Sequence, residues 1–180
     1  MLLTYIDLVD LIDHGVITDV PVGNINPASI DLRLGKFLMI EDTRGKIVNL
    51  TDKTDGVQFS KHDLVEEPVQ INPGGFFLAQ TIETFNFPND IAGQFKLKSS
   101  QARSGLEFLA AGWIDPGFNG SVLTLPMKNC TQNHPFVLKY GMKIGQVNLY
   151  RGKCVPRDNS YAVVGQYNND KEVQASKGIR

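Results

Sequence analysis

Cysteine, histidine and tryptophan are scarce in this chain: two, three and one among 180 residues. Cys130 and Cys154 are too few for a disulfide framework. No CxxC or HExxH spacing joins them to His14, His62 or His134, which argues against a protein-ligated zinc. Long apolar runs are also missing, for none approaches the roughly 20 residues that span a bilayer. The opening MLLTYIDLVDL carries Asp7 and Asp10 where a signal peptide needs an unbroken apolar core, so a cytoplasmic protein is expected. A net charge of −1 gives no general attraction to nucleic acid or to an anionic membrane, and neither is expected as a partner. What is present, 42% hydrophobic and 21% charged residues, is the composition of an ordinary globular domain large enough to bury a core.

Along the chain, TYIDLVDLIDHG places apolar residues at helical spacing, with Thr4 as N-cap, Asp7 in the first turn and Gly15 as a stop. From about residue 28 the rhythm changes to alternating or continuous apolar runs broken by Gly, Pro, Asn and Asp: SIDLRLGKFLMI, GGFFLAQTIETF, DIAGQFKLKS and GSVLTLPMKN. That pattern predicts an antiparallel barrel or jelly roll, not a parallel sheet, which would need helices between its strands. The polar, turn-rich stretch EDTRGKIVNLTDKTDGVQFSKHDLVEE reads as a surface meander. Residues 1–160 are expected to form the β domain. Residues 161–180 lose apolar periodicity and read as a mobile tail able to close over an active site.

The segment GWIDPGFNG reads as a strand, a tight turn and a second strand, a hairpin with Phe118 projected from its tip and Asp115 between apolar neighbours. There Asp115 is either a partly desolvated base for a water molecule or a turn acid bonded to its own backbone. Trp113 reads as core by residue type.

From INPASIDLRLG onward, through INPGGFFLAQTIETFNFPNDIAGQFKLKSSQARSGLEFLAAGWIDPGFNG and LKYGMKIGQVNLY, the chain resembles the superfamily of dCTP deaminases and trimeric dUTPases. The resemblance implies a distorted β-barrel or jelly roll, a homotrimer with active sites at subunit interfaces, and a deoxynucleoside triphosphate substrate. It makes Asp115 the residue that activates a water for attack on the α-phosphorus, and sets Phe118 against the deoxyribose, with Ala111 and Trp113 also at the nucleotide. ARSGL at 102–106 looks like a dUTPase phosphate motif. Yet Ser99 stands sixteen positions before Asp115, as the family spacing requires, and Ser104 is too near. Lys98, Ser99, Ser100 and Arg103 of KSSQAR therefore form the expected phosphate group, a combination of cationic and hydroxyl donors suited to a triphosphate. By the same resemblance Gln146 lies near the phosphates and attacking water, Asp31 supports that region, and Tyr167, Ser176 and Lys177 belong to the closing tail. Taken without the resemblance, Gln146 is the polar face of a strand, and Asp31 a structural acid.

Deaminating cytosine needs a base near C4. In the deaminase branch this is a Glu on the strand after the hairpin. Counting five positions from Gly120 reaches Leu125, and counting back three from Asn129 reaches Pro126. Neither transfers a proton, and Ala110-Ala111-Gly112 replaces the branch's Thr-Ala-Gly. The expectation is therefore a deaminase-like chain acting as a dUTP diphosphatase, producing dUMP and diphosphate. Mg²⁺ is expected as cofactor, held by phosphate oxygens and water and not by a protein ligand set. A dCTP deaminase and a non-catalytic nucleotide-binding regulator are the alternatives.

Overall fold

In the computed structural model, which describes residues 1–42, 45–50 and 55–178, the expected helix α1 spans Tyr5–Asp13. The Thr4 N–H donates to the Asp7 carboxylate at 3.0 Å, satisfying an otherwise unpaired helix-start donor. Leu8 and Leu11, one turn apart, are the buried residues of the helix.

Strands follow. They are β1 (Ile17–Thr18), β2 (Ile30–Glu41), β3 (Phe59–Asp63), β4 (Val69–Ile71), β5 (Phe76–Asn86) and β6 (Ile91–Leu97). The short helix α2 (Ser99–Arg103) precedes β7 (Leu106–Phe108), β8 (Trp113–Ile114), β9 (Asn119–Asn129), β10 (Phe136–Leu138) and β11 (Lys143–Arg151); α3 (Tyr161–Val164) comes last. The four apolar runs read from the sequence are β2, β5, β6 and β9. The fold is mainly β, as expected. Part of the polar segment at 41–67, residues 43–44 and 51–54, lies outside the described residues. Within it, however, Phe59–Asp63 pairs with β2 as a regular antiparallel strand.

Among the described residues the main sheet runs β7-β9-β5-β2-β11-β6-β8, with β1 on β5 and β3 on β2; β4 and β10 form a separate pair. Register shifts in the β2–β5 and β5–β9 ladders bend the longest strands. The sheet curls until its two end strands, β7 and β8, are joined by residues 109–112 alone. At that seam the Phe95 and Phe108 rings meet edge-on at 4.6 Å, and the Phe95 N–H donates to the Gly112 carbonyl at 2.8 Å. Gly112 is required there: a Cβ would lie 2.7 Å from the Phe95 carbonyl oxygen and 2.9 Å from the Phe108 ring.

Inside the curl one continuous apolar cluster, including Leu34, Phe77, Phe85, Leu125, Met127 and Val147, forms the core. Glu83 lies in this interior, fully buried, its carboxylate taking the Arg33 backbone N–H at 2.9 Å and the Arg33 Nε at 2.7 Å. Burial raises the Glu83 carboxyl above its ordinary value, and the Arg33 bonds, which act the other way, do not cancel that rise.

Candidate active site

The expected hairpin is a strand–turn–strand of a different kind. The Phe118 N–H closes the turn on the Asp115 carbonyl at 3.2 Å. The flanking strands do not pair with each other, however: β8 pairs with β6, while β9 pairs with β5 and β7. The segment therefore crosses from one end of the curled sheet to the other, because β8 and β9 belong to opposite sides of the seam. Gly117, at φ +88°, lets the Ser160 hydroxyl approach to 2.1 Å from where a Cβ would stand. Ser160 is held in turn by the Asn89 side chain at 2.7 Å, and Tyr161 N–H donates to the Pro116 carbonyl at 3.0 Å.

Under this crossing segment lies a cavity of about 420 Å³, within the range of small-molecule sites. Ala111, Trp113, Asp115 and Phe118 line it, together with Tyr167 and Ser176 from the C-terminal segment. Phe118 is buried in the core cluster and packs on Phe85 and Tyr161; it does not project from a tip. Trp113 is not core: it is 58% exposed, stacks on Tyr150, and donates its Nε1–H to the Asp115 carboxylate at 2.9 Å. Asp115 itself is exposed, so within one chain it is not the partly desolvated acid that its apolar neighbours suggested. The reason is the turn, which sends Ile114 and Phe118 inward and leaves the carboxylate outside.

On β9 the wall of the cavity carries Thr124, Leu125 and Pro126. Leu125 belongs to the core. Neither alignment of the strand brings a titratable group there, in agreement with the sequence.

The expected phosphate group lies elsewhere. Lys98 caps α2, and Ser99, Ser100 and Arg103 are exposed along that helix; none of them lines the cavity. Instead they adjoin a charge cluster at the other end of β11. Asp31, its side chain 4% exposed, accepts from Lys98 Nζ at 2.6 Å, Lys143 Nζ at 3.0 Å and Asn26 at 2.8 Å. Burial alone would raise the Asp31 carboxyl, but the bonds from Lys98, Lys143 and Asn26 outweigh it and hold the group below its ordinary value. Gln146 sits opposite Asp31 in the β2–β11 ladder, and its Oε1 accepts from the Ser29 hydroxyl at 3.1 Å. One chain thus carries two separate features, an apolar cavity with Asp115 and a cationic cluster around Asp31.

Lys143 was not singled out from the sequence, although two cations facing one buried acid is a pairing that only the β2–β11 register reveals. The C-terminal segment runs along β9 and β5: Val173 N–H donates to the Gln80 side chain at 3.0 Å and Gln174 N–H to the Thr124 hydroxyl at 3.1 Å. Lys177 Nζ grips the Asp170 carboxylate and lies 4.9 Å from the Tyr167 ring centroid. Among the described residues no group of three or more His, Cys, Asp or Glu side chains could hold a metal ion, and no helix is long and apolar enough to cross a membrane.

The fold has a counterpart among known proteins. A family model described as dCTP deaminase-like matches residues 2–152. The chain belongs to the dCTP deaminase-like family. A family relative from Nanoarchaeum equitans, named "dCTP deaminase, dUMP-forming", is 36% identical and is covered over 97% of its length by 98% of this chain. A relative of the same name from Mycobacterium leprae is 42% identical over 71% of this chain and 67% of its own length. The crystal structure of 2′-deoxycytidine 5′-triphosphate deaminase from Agrobacterium tumefaciens superposes with a TM-score of 0.67 at 20% identity, over 84% of this chain. This family member spans 49% of that longer protein, and the likeness shows the fold.

Proposed function

We propose that the chain is a dUMP-forming dCTP deaminase, converting dCTP and two waters to dUMP, ammonia and diphosphate. The observation that carries this reading is the whole-length similarity to the Nanoarchaeum equitans relative, which favours it over the dUTP diphosphatase expected from the sequence. In the proposed arrangement a homotrimer joins the two half-sites, the cavity of one copy facing the α2 cluster of the next. The pyrimidine enters the cavity, its edge read by backbone groups near Ala111 and Gly112, and Phe118 underlies the sugar. Lys98, Ser99, Ser100 and Arg103 hold the triphosphate, with Gln146 beside it. Asp115 orients and deprotonates the water that attacks the α-phosphorus, and its exposure in a single chain suits a group completed by a neighbour. Tyr167, Ser176 and Lys177 close the opening and strengthen these contacts by excluding water. Among the described residues no three or more His, Cys, Asp or Glu side chains gather for an ion, so Mg²⁺ would be held by the triphosphate and water and would lower the charge that Lys98 and Arg103 must bind.

A second reading keeps only the hydrolytic half, dUTP to dUMP and diphosphate, and one specific observation favours it: Leu125 and Pro126 supply no acid on β9. Incubation with dCTP and with dUTP, each with Mg²⁺, while ammonia and diphosphate are measured separately, decides between them. The deaminase reading expects one ammonia and one diphosphate per dCTP consumed. Diphosphate from dUTP with no ammonia from dCTP selects the second reading, and nucleotide binding without either product refutes both.

A further inference from the structure

The cavity has a second carboxylate, one that the site described above does not use. Asp170 lines it, with a side chain 17% exposed. Its position is set by β9: the Asp170 N–H donates to the Ser121 hydroxyl at 3.1 Å, and the Val122 N–H donates to the Asp170 carbonyl at 3.0 Å. The acid is therefore fastened beside the strand whose own cavity residues, among them Thr124, Leu125 and Pro126, include no carboxylate or other titratable side chain. Lys177 Nζ bonds both of its oxygens, at 3.0 and 2.8 Å, which fixes the carboxylate's orientation. Asp115, the other acid of the cavity, is tied to the Trp113 indole. Removing an amino group from a pyrimidine requires a group that takes a proton from water and returns one to the departing nitrogen.

We propose that Asp170 is that proton carrier, a catalytic residue of the amine-releasing step, supplied by the C-terminal segment in place of a residue on β9. This rests on the dCTP-deaminating reading. Water adds its oxygen to C4; its first proton passes through the Asp170 carboxylate to N3. The proton of the new C4 hydroxyl then passes through the same carboxylate to the amino nitrogen. The C4–N bond breaks, ammonia leaves, the C4 carbonyl forms and Asp170 is again ionised. One water is consumed and no oxidant or reductant is needed.

Asp170→Asn and Asp170→Glu test the assignment in the full chain, with ammonia from dCTP and diphosphate from dUTP measured side by side. In Asp170→Asn, ammonia release is expected to fall about 100-fold or more while diphosphate release from dUTP stays within about threefold; Asp170→Glu recovers part of the ammonia release. A merely structural clip between Asp170 and Lys177 predicts that both products fall together, or that Asn serves as well as Asp; either result overturns the assignment. If the unaltered protein makes diphosphate from dUTP and no ammonia from dCTP, the deaminase reading itself fails and Asp170 loses its role. That outcome is read from the parent protein alone and so is distinct from a failure in the variants.

Discussion

Arg33→Met isolates the ion pair that holds the buried acid Glu83 in the interior. Glu83 is fully buried, while the Arg33 side chain is 22% exposed and also reaches the Asp19 carbonyl. Removing one partner of a buried pair costs about 3–5 kcal/mol, because the remaining charge has lost its compensation. Water that already touches Arg33 can enter the vacated volume, which puts the expected loss at the low end, about 3 kcal/mol at pH 8. For a chain of this size that corresponds to a fall in Tm of about 6–12 °C. The loss depends on pH with a definite sign. The folded Glu83 carboxyl lies above its ordinary 4.5, so it binds its proton more tightly folded than unfolded. Its contribution to stability therefore falls as pH rises from 4.5 through the folded value. Without Arg33 the folded value rises further, and the gap between parent and variant widens from pH 5 to pH 8. Thermal unfolding followed by circular dichroism at both pH values measures this, and Glu83→Gln in the Arg33→Met background should recover part of the loss. A gap below about 1 kcal/mol at pH 8, or an equal gap at both pH values, would refute the reasoning.

Asp31→Asn leaves Lys98 and Lys143 facing an amide, and an expected loss of about 1–3 kcal/mol is to be read from urea unfolding. Because the folded Asp31 carboxyl lies below its ordinary 3.8, that gap stays constant above 3.8 and closes as pH falls through the folded value. Gly112→Ala forces the seam open against the Phe95 backbone, and a destabilisation of about 1–3 kcal/mol is expected in the same unfolding assay.

Much of the fold was legible because apolar runs and their Gly, Pro and Asn interruptions are local signals. SIDLRLGKFLMI and GSVLTLPMKN became β2 and β9 almost residue for residue. Pairing was not legible, since it depends on curvature: β8 and β9 flank a tight turn in sequence yet pair with different strands. Strand β3 hid in a polar stretch because Ser60 and Lys61 are both exposed and Phe59, His62 and Asp63 only half-buried, which leaves no apolar alternation to read. Composition misled for Trp113, whose indole serves Asp115 at the surface and not the core. Lys143 and Asp170 escaped notice because the partners of each lie far along the chain, Asp31 for one and Ser121 and Val122 of β9 for the other.

The central claim is that Asp115, at the mouth of the seam cavity, activates the water that attacks the triphosphate. Asp115→Asn tests it most directly, because Asn can still accept the Trp113 indole bond but cannot take a proton. Trp113 is the only tryptophan of the chain and lines the cavity, so its fluorescence reports nucleotide binding separately from turnover. The account predicts that diphosphate release falls by about 100-fold or more while the nucleotide-induced change in fluorescence persists. Diphosphate release undiminished in the variant would contradict it.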